Sequence, residues 1–183
     1  MREEYNMGIR TVRTEGDECL RKVCKPVKSV SLRTRILIED MFDTMYESGG
    51  VGLAAPQIGV LKRIVVMDTD DNQHVLINPQ ILEVSGEQTG YEGCLSIPGK
   101  SGIVTRPDYV KVKALNERGE EYVLEGEGLL ARCICHECDH LDGILYSDKA
   151  EGGLINNEDL PEDEEEELYE DAYEEFTEEE IHK

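Results

Sequence analysis

Apolar residues recur at near-helical spacing between Ser29 and Ser48. Leu32, Ile36, Leu37, Phe42, Met45 and Tyr46 form one stripe, and Arg33, Glu39, Asp40 and Asp43 face elsewhere. The pattern predicts a helix there, capped at its start by Ser29 or Ser31 and stopped by Gly49-Gly50. Short apolar runs follow. Leu61 to Met67 predicts a buried strand, Asp68 to Asn72 a turn, and Gln73 to Ile77 a return strand. Asn78-Pro79 is expected to break that strand, with Gln80 to Glu87 as a further short one. Tyr109 to Leu115 alternates apolar and polar residues. Asn116-Glu117-Arg118-Gly119 has hairpin-turn chemistry, and Tyr122 to Leu124 returns. A second helix is predicted over Glu127 to Leu141, with Gly143 just past its end as a stop. Helix, several strands, helix is not the regular alternation of a doubly wound fold. It predicts an α+β domain in which short mixed or antiparallel sheets pack around the second helix.

Composition narrows the picture. The 183 residues suffice for one domain with a real core, and with no Trp and two Phe that core must be built from Val, Ile, Leu and Met. No run approaches the roughly 18 apolar residues of a membrane span. Met1-Arg2-Glu3-Glu4-Tyr5 lacks the basic-then-apolar form of a secretory signal, so a cytoplasmic setting is expected. In that setting Cys19, Cys24, Cys94, Cys133, Cys135 and Cys138 are expected to be reduced thiols or metal ligands.

The net charge of −22 is uneven. From Asn157 onward there are 15 Asp or Glu against one Lys, leaving −8 for the preceding residues. Neither part has the clustered Lys and Arg of a nucleic-acid-binding surface, and no such binding is expected. The chain is expected to divide into a catalytic domain, 1–150, and an acidic C-terminal extension, 151–183. That extension is either a helix docked by Leu168, Tyr169, Ala172, Tyr173 and Phe176 or disordered.

The candidate chemistry lies in His136-Glu137-Cys138-Asp139-His140. Two histidines four residues apart sit about 40° apart around a helix, so both can reach one metal ion. Glu137 can take a proton from a water on that ion, as in the H-E-x-x-H arrangement of metal-dependent hydrolases. A catalytic metal usually needs a third protein ligand and an open position. Tyr146 stands where a longer protease pattern would place a third histidine. Cys94, between Gly93 and Leu95, is the better third ligand, and Cys with two His suits Zn(II) or Fe(II). A glutamate from the tail, such as Glu158 or Glu162, is the alternative, and would make the chain a zinc endopeptidase. A third reading is an acidic interaction protein with a purely structural metal site. Cys133 shares the histidines' helix face and suits a pocket wall.

Three segments together resemble the peptide deformylase family. Gly50-Val51-Gly52-Leu53-Ala54-Ala55-Pro56-Gln57 matches its G-x-G-x-A-A-x-Q, and Glu92-Gly93-Cys94-Leu95-Ser96 its E-G-C-x-S. Cys135-His136-Glu137-Cys138-Asp139-His140-Leu141-Asp142-Gly143 matches its Q-H-E-x-D-H-x-x-G, with Cys135 in place of Gln. The resemblance implies removal of the formyl group from the N-terminal formyl-methionine of new polypeptides. It implies a divalent ion on Cys94, His136 and His140, natively Fe(II), with Zn(II), Ni(II) or Co(II) able to substitute. Glu137 would move the proton, and the Gln57 amide and Leu95 N–H would stabilise the developing oxyanion. Asp139 is expected either to orient a ligand histidine or to anchor a neighbouring loop.

Gly50 and Gly52 would admit a substrate backbone closely. Val51, Leu129, Cys133 and the stem of Arg132 are the candidate wall of the methionine pocket. Some bacterial members dock near the ribosomal exit tunnel through a basic C-terminal helix. The acidic tail here would be repelled by RNA phosphates, so at most a transient ribosome encounter is expected.

Overall fold

The structure is a computed structural model describing residues 8–69 and 71–161. Its first helix, α1, spans Leu32–Glu47. Of the two candidate caps, Ser31 holds the position: its hydroxyl accepts from the Thr34 N–H at 3.3 Å. The buried face differs from the expected stripe. Thr34, Ile38, Met41, Thr44 and Met45 face inward, whereas Leu32, Ile36 and Tyr46 are exposed. Thr44 meets the N-terminal segment, its hydroxyl accepting from the Arg10 N–H at 2.9 Å and donating to the Asp40 carbonyl at 2.6 Å. Asp40, also buried, is held by Arg10, whose Nε donates to it at 2.8 Å. Burying Ile38, Met41 and Met45 contributes about 1.5–3 kcal/mol each.

A five-stranded antiparallel sheet runs in the order β1 (Gly52–Ala54), β2 (Ile64–Thr69), β3 (Asn72–Ser85), β6 (Tyr109–Leu115), β7 (Glu121–Glu127). A three-stranded antiparallel sheet has the order β4 (Gln88–Cys94), β5 (Ile97–Arg106), β8 (Glu151–Asn156). The second helix, α2, spans Gly128–Leu141 and packs against the larger sheet. β2 is buried on both faces. Val65 and Met67 join Ile134 and Leu141 of α2, while Ile64 and Val66 join Ile38 and Met41 of α1. That explains its unbroken apolar run. In β6, Val110, Val112 and Ala114 are buried against α2, as the alternation predicts.

Two expectations change. Asn78-Pro79 does not end a strand: β3 continues through a register shift between Ile77 and Gln80. Asn78 takes a positive φ of 53°, and its side-chain amide clasps the Val27 backbone with two bonds of 2.8 Å. The proline, which cannot donate to the ladder, thus falls in a bulge. The boundary at 150 also moves. Glu151–Asn156 is a strand on β5, and Leu160 is buried, because β5 still has an edge to pair after β4 is in place. The proposed helical stripe from Leu168 to Phe176 lies outside the described residues. No helix among the described residues is long and apolar enough to cross a membrane. All six cysteines are free.

Candidate active site

His136 and His140 project from one face of α2, with ring centroids 5.0 Å apart. Cys94 ends β4 and pairs with Ile97, so Leu95 and Ser96 form a tight turn whose first strand ends at the histidines. Cys94 Sγ lies 3.4 Å from His140 Nε2. The ligand atoms of Cys94, His136 and His140 all fall within 4.8 Å of one another, the one such cluster among the described residues. Glu158, in the short helical turn Asn157–Asp159, is not part of it.

A single carboxylate organises this cluster. Glu92 Oε2 accepts from His136 Nδ1 at 2.9 Å, which turns the other ring nitrogen toward Cys94. Arg106 grips Glu92 with Nε and Nη2 at 2.8 and 2.9 Å. Arg132 Nη1 adds a fourth bond at 2.8 Å. The acceptor sites of a carboxylate are then full. Burial raises the Glu92 pKa, but the bonds from Arg106 and His136 outweigh it and hold the group well below the usual range. Tyr146 stacks on His136 with centroids 5.9 Å apart, and its hydroxyl donates to the Lys100 carbonyl at 2.9 Å. The Asp139 carboxylate makes no hydrogen bond to either His136 or His140. It accepts from Arg106 at 2.6 Å and Lys149 at 2.7 Å, so it is the anchor of a neighbouring segment.

The residues fit a divalent cation. Two imidazoles and a thiol converge within bonding range of one another, a donor set suited to zinc or ferrous iron. Burial keeps the His140 pKa well below its ordinary value, so the ring is neutral and able to ligate. At His136 burial works the same way, but the hydrogen bonds with Cys94 and Glu92 outweigh it, so its pKa lies well above the ordinary value. Glu137 Oε2 is buried with no protein partner among the described residues. Burial, partly offset by His136, pushes its pKa up to about 7.

These groups meet at a cleft of about 790 Å³. Gly50, Val51, Gly52, Gln57, Cys94, Leu95, Leu129, Arg132, Cys133, His136 and Glu137 all line it; His140 lies behind the wall. Gln57 Oε1 is pinned by the Ala54 N–H at 2.9 Å, so its amide nitrogen faces Cys94 Sγ at 3.5 Å and Ser96 Oγ at 3.1 Å. Cys133 is buried, which pushes its pKa well up and keeps it a neutral wall thiol. Glu92 was open to discovery in the sequence. It lies two residues before Cys94 on one strand, hence on the same side. Arg106 and Tyr146 carry no local signal, being joined to the site only by folding, whereas Ser96 closes the Glu92–Ser96 motif two residues after Cys94.

A family model for polypeptide deformylase matches residues 9–153. A peptide deformylase of Agathobacter rectalis is 61% identical over 148 residues, covering 81% of this chain and 94% of that protein. The crystal structure of peptide deformylase from Thermotoga maritima is similar with a TM-score of 0.77 and 42% identity, covering 78% of this chain and 98% of the other. The Met-Ala-Ser-bound class I type b peptide deformylase of Acinetobacter baumannii is similar with a TM-score of 0.75 and 36% identity, covering 77% and 98%.

Proposed function

The chain belongs to the polypeptide deformylase family, and on that premise we propose how its cleft does the family's work. It is a metal-dependent hydrolase that removes the formyl group from the N-terminal formyl-methionine of nascent polypeptides and releases formate. Cys94, His136 and His140 would hold the ion, Fe(II) natively, with Zn(II), Ni(II) or Co(II) as substitutes. When bound, the ion supplies Lewis-acid polarisation and acidifies a water ligand.

The remaining steps belong to side chains of this chain. The peptide lies between Gly50–Gly52 and β4, whose outer edge is unpaired among the described residues. The methionine side chain enters the wall of Val51, Leu129, Cys133 and the Arg132 stem. The formyl oxygen lies toward the Gln57 amide nitrogen and the Leu95 N–H, which stabilise its charge as the carbon becomes tetrahedral. Glu137 accepts a proton from water as the water oxygen bonds to the formyl carbon, and delivers that proton to the leaving amine. A carboxyl with a pKa of about 7 can do both near neutrality. The C–N bond breaks, formate departs, and a free methionyl amine remains. New chains emerging in the cytosol are the natural substrate pool. The acidic segment beyond Pro161 is an extension to this unit, and any ribosome encounter proceeds without a basic docking helix.

The observation that carries this reading is the convergence of Cys94, His136 and His140 within 4.8 Å of one another, at the wall of the cleft that Glu137 and Gln57 line. The relative from Acinetobacter baumannii binds Met-Ala-Ser, the product form of such a peptide, which suggests the assay substrate. Formate release from formyl-Met-Ala-Ser is expected for the wild type, with Glu137→Ala slower by about 10²–10⁴. Equal rates in the two proteins contradict the role given to Glu137.

A further inference from the structure

Glu92 lies on β4 and His136 on α2, so the orientation of the His136 ring depends on how that strand sits across that helix. Arg106 reaches Glu92 from β5 and α2 at Asp139, but it does not line the cleft and so does not join the methionine pocket to the ring. The group on α2 that does is Arg132, one helical turn before His136. Its Nη1 donates to Glu92 Oε1 at 2.8 Å and to the Val104 carbonyl of β5 at 3.1 Å; its Nη2 donates to the Gln88 carbonyl of β4 at 3.3 Å. One rigid guanidinium therefore ties α2 to both strands and to the carboxylate that orients the histidine. Its side chain is only 12% exposed, and it also lines the cleft.

We propose that Arg132 is a positioning residue coupling the methionine pocket to the metal-holding histidine: its stem is pocket wall, and its head sets Glu92 against His136. The proposal rests on the reading of Cys94, His136 and His140 as ligands. It accounts for a cation in the wall of a pocket meant for an apolar side chain. Three acceptors engage the charged head, which leaves the methylenes as the apolar part that Arg132 can offer a substrate.

Co(II)-loaded wild type, Arg132→Met, Arg132→Lys and Glu92→Gln, with the Arg132→Met/Glu92→Gln double variant, separate this role from a merely structural one. Arg132→Met keeps an unbranched apolar stem, so KM for formyl-Met-Ala-Ser should stay within about threefold. Loss of the tie should lower kcat by about tenfold, change the visible Co(II) spectrum and speed loss of Co(II) to a chelator by about 10–100-fold. Arg132→Lys keeps charge and stem but cannot span three acceptors, and should fall between. In the Glu92→Gln background, Arg132→Met should add less than about twofold to Co(II) loss, because both changes cut the same path. A wild-type spectrum and chelator sensitivity in Arg132→Met, even with a lowered melting temperature, overturns the proposal. So does full additivity with Glu92→Gln. Failure of the ligand reading looks different: the wild type itself would then show no thiolate-to-Co(II) absorption.

Discussion

Gly52 stands where it does because of Glu137. A Cβ at position 52 would lie 2.5 Å from Glu137 Oε1 and 2.9 Å from Cys133 Sγ. The requirement is one of space, since β1 is ordinary extended backbone at this point. The glycine motif and the H-E-x-x-H helix, 84 residues apart from Gly52 to His136, are thus two sides of one contact.

Gly52→Ala should therefore act on chemistry through Glu137. The carboxylate must swing away from the cleft, and kcat should fall by about 10²-fold or more, since a small misplacement of a catalytic group is this costly. Overpacking should cost about 1–3 kcal/mol in stability. Steady-state kinetics with a urea titration checks both; an active, unstrained alanine variant would mean that Glu137 does not need its present place.

Arg106 is the counter-ion of two carboxylates. Its side chain is 3% exposed, as is that of Glu92. Arg106→Ala leaves Glu92 and Asp139 short of charge in a buried setting and should destabilise the fold by about 3–5 kcal/mol. Denaturant midpoints at constant slope are the measure.

Much of this organisation was visible in the chain before folding. α2, β2 and β6 announce themselves because each presents a regular apolar period to a single core. The helix stripe of α1 was misplaced because part of its inward face is threonine. β4, β5 and β8 were not anticipated. They are rich in glycine and partly exposed, as in Gly90 and Gly93 of β4, Gly99 of β5 and Gly152 and Gly153 of β8, so no clean alternation survives. Cys94, 42 residues before His136, is legible as a candidate only through its own motif, and His136, Glu137 and His140 are legible as a local helical pattern. The Glu92–Arg106–Asp139 chain was not, because opposite charges far apart in sequence say nothing about pairing until the sheet brings them together.

The Glu137 carboxyl gives the metal-free protein a distinctive pH dependence. Burial raises its folded pKa to about 7 from an ordinary 4.5. Below the ordinary value both states hold the proton and there is no differential. Between the two values the folded state binds more protons, so stability falls as pH rises, by up to about 3 kcal/mol in all. Metal-stripped Glu137→Gln should lose this contribution. Its stability advantage over stripped wild type should widen from about pH 4.5 to about pH 7 in paired urea titrations.

Gln57 is locked by the Ala54 N–H with its amide nitrogen turned toward Cys94 and Ser96. Gln57→Ala should lower kcat by about 10²–10³ as one oxyanion donor is lost. Metal content and KM should change little. A loss confined to KM would assign Gln57 to ground-state binding instead.

The central claim is that one thiolate and two imidazoles hold a single catalytic ion, and titrating Co(II) into anaerobic, metal-free protein tests it most directly. A thiolate-to-Co(II) absorption band should grow to saturation at one equivalent and be missing in Cys94→Ser. A wild type that binds Co(II) without that band, or a Cys94→Ser variant that keeps it, would contradict the account.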